Sequence, residues 1–203
     1  MTADEVFREI EKDALFYKHS GGGFTLSGGE PLLHGEFCIE LIDMCKKNGI
    51  HGAIETAGYG DTDVLLEIVK NLDLTFFDLK HMDDEEHKKL TGVSNISILD
   101  NLKAIQGSAK EIIIRTPLVP GCNDSAENIE QTADFLKTLS NVAVWELLPY
   151  HRLGEHKYAQ LDRQYELNGT EKPDNDALSV FIKLAEKKLK NHEIKCRINL
   201  SAV

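Results

Sequence analysis

Five short, nearly continuous apolar runs recur along the chain, with a helix-patterned segment between each and the next: FTLSGG, HGAIETA, LTFFDLK, EIIIRTPLV and AVWELLPY. A strand that is apolar on both sides must be covered on both sides, and strands joined through helices run parallel. The pattern therefore predicts an α/β fold built on a parallel sheet covered by helices. Its spacing suits a curved, barrel-like βα array as well as an open doubly wound sheet.

The connecting segments are specific enough to place. A first helix is expected from about Ala3 to Lys18. Glu36 to Asn48 carries Phe37, Leu41 and Cys45 at i, i+4 and i+8, with Gly49 as its stop. Helices follow at Val64 to Asn71, Asp84 to Leu90 and Ser97 to Ile105. Asp124, with Glu127 three residues on, reads as the N-cap of a helix bearing Ile129, Ala133, Leu136 and Leu139. A polar, Tyr-rich segment from His151 to Pro173 precedes a helix from about Asn175 to Lys190, and the ending EIKCRIN admits a final strand. A length of 203 residues with 41% apolar composition is ample for one core and too little for two full-sized domains. One domain over residues 1–203 is expected, with its core at about 20–150 and a C-terminal extension at about 151–203.

With 23 Lys and Arg against 34 Asp and Glu, the net charge of -11 disfavours a nucleic-acid or anionic-membrane surface. No apolar run is long enough to span a bilayer, and the start MTADEVFREIEKD is a charged amphipathic helix rather than an export signal, so a cytoplasmic protein is expected. Cys38, Cys45, Cys122 and Cys196 form no CxxC pair. Cys38 and Cys45 lie roughly 10 Å apart along a helix axis and read as buried small apolar residues. His19, His34, His51, His156 and His192 fall at turns or in polar segments and read as surface, and DDEEHKK, Asp83 to Lys89, reads as a solvated helix face. The fingerprints of dinucleotide-binding, P-loop and α/β-hydrolase proteins are all missing.

In a parallel βα array the functional groups collect at the carboxyl ends of the strands. Those ends carry Ser27-Gly28-Gly29-Glu30-Pro31, then Glu55-Thr56, then Asp78 and Lys80, then Arg115, and then Tyr150-His151. Lys80 and Arg115 suit an anionic group, Asp78 and Glu55 accept from an ammonium or hydroxyls, and Gly28-Gly29 lets the main chain approach a ligand. A zwitterionic amino-acid moiety on a polar ring system would use all of them, with His151 near its ribose or the reacting substrate. Each feature also has a structural reading: a tight turn at Gly28-Gly29, an ion pair between Asp78 and Lys80, another between Arg115 and Glu146, and a cap or satisfied imidazole at His151.

FTLSGGEPLL, FFDLKHMD, IIIRTPLVPGCND and WELLPYHRLGEHKY, taken in order, closely resemble the activating enzymes of glycyl radical enzymes, the pyruvate formate-lyase activating group of the radical S-adenosylmethionine (SAM) superfamily. The resemblance implies a partial parallel (β/α) barrel whose first strand and cluster loop are absent from these 203 residues. It implies that Gly28, Gly29 and Glu30 hold the methionyl amino group of SAM, mostly through backbone, and that Asp78 and Lys80 engage the two ends of the methionine. Arg115 and His151 would contact SAM and the partner's glycine loop, and Glu55-Thr56 stands where relatives carry Asp-Thr near a cation or SAM. The implied chemistry is reductive cleavage of SAM by a [4Fe-4S] cluster, giving a radical that is installed on a backbone glycine of a partner such as pyruvate formate-lyase. A flavodoxin- or ferredoxin-type protein would supply the electron.

The family's CxxxCxxC cluster motif does not occur in the chain, so no metal ligand is assigned and the cluster is not expected on these residues. The chain is expected to be the carboxyl-terminal part of a longer activase, inactive alone. Two other readings stand beside it: a non-catalytic SAM- or partner-binding module, and a radical SAM enzyme acting on a small molecule. The loops at Gly92 to Asn95 and at His151 to Gly169 would face the partner.

Overall fold

The computed structural model describes residues 1–152, 160, 162, 164–165, 167 and 169–199. Six strands form one sheet in sequence order: β1 (Gly23–Leu26), β2 (His51–Thr56), β3 (Leu74–Asp78), β4 (Ile112–Leu118), β5 (Val142–Pro149) and β6 (Lys195–Ile198). Every neighbouring pair is parallel, which is the α/β architecture the apolar runs require. The sheet is open rather than closed on itself. Crossovers of one hand between sequential strands put the connecting helices on one face and leave the other face to the ligand. Burial follows that division: Ile54, Phe77, Ile114 and Trp145 are fully buried, whereas Glu55, Phe76, Asp78 and Arg115 point to the open face and are only partly covered.

The helices are α1 (Ala3–Glu11), α2 (Ala14–Ser20), α3 (Gly35–Lys47), α4 (Thr62–Lys70), α5 (Asp84–Thr91), α6 (Ile96–Ile105), α7 (Ala126–Leu136) and α8 (Asn175–Leu189). In α3, Cys38, Leu41, Ile42 and Cys45 form the buried stripe, so both cysteines are core residues as expected. Its end is fixed by two bonds around a left-handed Gly49: Ile50 N donates to Cys45 O at 3.0 Å and Gly49 N to Lys46 O at 3.1 Å. The final strand that EIKCRIN admits forms as β6, which pairs with β5 along Val144↔Lys195 to Leu147↔Ile198.

Other local expectations are corrected. The first helix is two, because Glu11-Lys12-Asp13 has no apolar side chain to hold a continuous helix against the core. Ser125, not Asp124, caps α7, its hydroxyl accepting from Asn128 N; the Asp124 carboxylate is used by the preceding turn, where Gly121 N donates to it. His87, inside the charged run, is buried and bonded through Nδ1 to Val93 O.

One irregularity governs the open face. Ile112 pairs with Val142, but Ile113 pairs with Val144, so β5 carries one extra residue at Ala143. Because strand side chains alternate, that residue reverses the phase of β5. Trp145 and Leu147 then enter the core beneath the helices, and Glu146 comes level with Arg115 on the open face.

Candidate functional site

A cavity of about 620 Å³ opens toward the carboxyl side of the sheet, lined from β1 across to Leu148 in β5 and Asn199 just past β6. It is bordered by Gly28 and Gly29 on one side, by Glu55 and Thr56 below, and by Asp78, Lys80 and Arg115 opposite. Gly28 sits at φ +123, a conformation a side chain resists, and a Cβ there would meet nothing within 4 Å. The glycine is thus required by the backbone and leaves bare main chain facing open space.

The carboxylates and cations are interlocked. Asp78 and Lys80 form a 3.1 Å ion pair just past the end of β3. Arg115 donates from Nη1 to Glu55 at 2.7 Å and from Nε to Glu146 at 3.1 Å, and its guanidinium stacks 3.6 Å from the centre of the Phe76 ring. Ser27 donates to the other oxygen of Glu55 at 2.9 Å, tying β1 to β2. Glu146 is buried and also bonded by Arg197 and Asn199. Burial pushes its carboxyl up, and the hydrogen bonds from Asn199, Arg197 and Arg115 outweigh that push and hold it below the ordinary carboxylate range.

Seven of the nine expected residues border this cavity, and two do not. The Glu30 carboxylate accepts from Thr56 Oγ1 at 2.6 Å and Ala57 N at 2.8 Å, so its side chain braces the β1 loop against the end of β2. His151 borders a smaller cavity of about 190 Å³ beside Pro117 and Tyr150; the two cavities share Leu148 and Asn199. Residues 153–159, 161, 163, 166 and 168 of the segment expected to face a partner, His156 among them, lie outside the described residues.

Sequence reading gave no part to the buried asparagines that fix the loops. Asn101 donates to Gly58 O and Gly60 O, Asn95 to His81 O and Met82 O, and Asn123 to Lys80 O at 2.8 Å and Pro117 O. Each satisfies turn carbonyls that would otherwise be buried without partners. The available signal was an amide residue inside an otherwise apolar helical stripe, as at Asn101 in α6.

A zwitterion matches this cavity. Two carboxylates and two cations border it, balanced in charge, beside unobstructed main chain. Cysteine chemistry is a different matter. Cys38 and Cys45 are in the core of α3, Cys122 follows β4 and Cys196 lies in β6. Burial pushes the Cys45 thiol up to about 11 and the Cys196 thiol up to about 12, which opposes the thiolate an iron ligand must be. Among the described residues no group of three His, Cys, Asp or Glu could hold a metal ion. These cysteines do not fit an iron-sulfur cluster.

An open parallel βα sheet whose strand ends border a charge-balanced cavity is the architecture of an α/β partial barrel. A profile described as the radical SAM superfamily matches residues 1–136, and the chain belongs to that superfamily, in its group of glycyl radical enzyme activating enzymes. It is 42% identical over 176 residues to the pyruvate formate-lyase-activating enzyme of Clostridium pasteurianum, covering 87% of this chain and 74% of that protein. To the isethionate sulfite-lyase activating enzyme of Oleidesulfovibrio alaskensis it is 44% identical over 168 residues, covering 80% of this chain and 53% of that one. A crystal structure of a domain of pyruvate-formate lyase-activating enzyme from Bacteroides vulgatus superposes with a TM-score of 0.72 at 30% identity, over 88% of this chain and 99% of that one. The chain thus spans about half to three quarters of the relatives' length.

Proposed function

We propose that this chain is the SAM-binding part, one domain, of a cytoplasmic activase that installs a glycyl radical on a partner enzyme. The observation that carries the reading is the balanced set of Glu55, Asp78, Lys80 and Arg115 around bare Gly28-Gly29 backbone. The Gly28-Gly29 main chain receives the methionyl ammonium, with Asp78 beside it, and Lys80 takes the carboxylate. Thr56, fixed by its bond to Glu30, sets the floor below. Arg115 holds the far side, and His151, one cavity further, meets the partner's glycine loop. When bound, SAM supplies on reductive cleavage the radical that removes a hydrogen atom from that glycine. The side chains bind, orient and exclude water, and none has to act as a general acid or base.

Because the thiols of this chain do not fit an iron-sulfur cluster, the part proposed for its residues is to bind and orient SAM. A flavodoxin- or ferredoxin-type donor is proposed to feed the cluster in the cluster-bearing polypeptide. Two measurements test the reading. Calorimetric titration should show SAM binding to the 203-residue chain without iron. Anaerobic incubation of the cluster-bearing polypeptide with SAM, reductant and a glycyl radical enzyme should give a glycyl signal by electron paramagnetic resonance. SAM cleavage with no such signal on any glycyl radical enzyme would refute the activase reading.

A further inference from the structure

The cavity accounts for Glu55, Asp78, Lys80 and Arg115 and leaves one charged group beneath them unused. The Glu146 side chain is 1% exposed and does not border the cavity. It accepts from Arg115 Nε at 3.1 Å, Asn199 Nδ2 at 2.9 Å, Arg197 Nε at 3.0 Å and Arg197 Nη2. A carboxylate buried this deeply in the middle of an apolar strand is costly unless it is fully paired, and here it is paired with two guanidinium groups.

The two arginines differ. Arg197 comes from β6, has a side chain 58% exposed, and does not border the cavity. Arg115 is 17% exposed and does border it. A guanidinium has five N–H donors in one rigid plane. Arg115 uses Nε on Glu146 and Nη1 on Glu55, with one face of the plane on Phe76. Among the described residues Nη2 bonds to no protein atom, so its donors remain for a ligand. With the plane rigid, the direction of Nη2 is set by where Nε is anchored.

We propose that Glu146 is a positioning residue, which pins Arg115 Nε from below and so presents the Nη2 donors of Arg115 to an anionic group of the ligand in the cavity. Arg197 holds the other carboxylate oxygen, Oε1, and Asn199 shares Oε2 with Arg115, which makes β6 part of the site without touching the ligand through Arg197. The inference rests on the reading of the cavity as a SAM site. The depressed proton affinity of Glu146 agrees with it, since the group remains an acceptor at neutral pH.

The test pairs calorimetric titration of SAM into the purified chain with the Arg115 Nε–H signal in nitrogen-15 NMR spectra, identified by its loss in Arg115→Lys. Glu146→Gln preserves the shape and turns an amide NH₂ toward guanidinium donors. It should weaken SAM binding about tenfold or more and open the Arg115 Nε–H to fast exchange with water. Arg197→Gln should give a smaller change of the same kind in the parent and none further in the Glu146→Gln background. That variant also carries the test if Glu146→Gln fails to fold. Unchanged affinity and an unchanged, protected Nε–H in these variants would overturn the role of Glu146 and leave the SAM reading standing. If the parent binds no SAM, the SAM reading falls instead, and the exchange of Nε–H alone decides whether Glu146 positions Arg115.

Discussion

The guanidinium carbon of Arg115 lies over the Phe76 ring, 3.6 Å from its centre. The two residues come from adjacent strands, and β3–β4 pairing sets Phe76 beside Ile113 and Asp78 beside Arg115, so the guanidinium reaches back over the ring of its neighbour. Replacing the ring by an aliphatic side chain of similar bulk keeps the packing and removes the quadrupole. Phe76→Leu should weaken SAM binding by about 0.5–1 kcal/mol, and Arg115→Lys by more, because an ammonium reproduces neither the stack nor the fork. Calorimetric titration of the two variants checks the order.

Lys80 is paired with Asp78 at 3.1 Å, with one of its three donors so used. Lys80→Ala should cost about 1–3 kcal/mol of SAM affinity, the range for a hydrogen bond to a charged group. Equal affinity for mutant and parent would make Lys80 a structural partner of Asp78 alone.

Two glycines separate backbone strain from ligand access. Gly58 is left-handed at φ +70, and a Cβ there would come within 2.1 Å of Phe77 Cζ in the core. Gly58→Ala should destabilise the chain by at least about 2 kcal/mol, read as a lower urea midpoint. Gly28→Ala meets no neighbour within 4 Å, so its methyl enters the cavity and should lower SAM affinity more than its backbone strain lowers stability.

Stability should fall on the acid side through Glu146. Its carboxyl is held below the ordinary range in the folded chain, so its contribution is complete above the unfolded value of about 4.3 and is lost as pH falls through the folded one. Urea midpoints measured from pH 7 downward should drop for the parent. Glu146→Gln, less stable at pH 7, should lose less over the same range, and parallel curves would show that other carboxylates account for the acid limb.

Much of the fold was legible because its cause is local. Apolar runs of strand length alternating with helical patterns force a parallel sheet, and Gly49 after the α3 stripe forces its stop. The strand-end positions of Gly28, Thr56 and Asp78 followed from the same alternation. Arg115, expected at a strand end, lies in the middle of β4 and reaches the site because the register sets it level with Asp78 at the end of β3. Less legible were short or competing signals. β6, Lys-Cys-Arg-Ile, is a weakly patterned edge strand, and Asp124 and Ser125 both qualify as helix caps until the preceding turn claims one of them.

By itself the sequence determined the layers, the order of the strand ends and the residue types gathered there, since each depends on patterns within one segment. Only the tertiary structure decided how those residues face one another. One extra residue at Ala143 turns Glu146 from the helix side to the open face, where it meets Arg115 from β4 and Arg197 from β6. The Glu30 carboxylate turns away from the cavity because Thr56 and Ala57, more than two dozen positions on, offer it hydrogen bonds. Register across a sheet and the choice among hydrogen-bond partners are set by contacts between distant segments, and no single stretch of chain contains them.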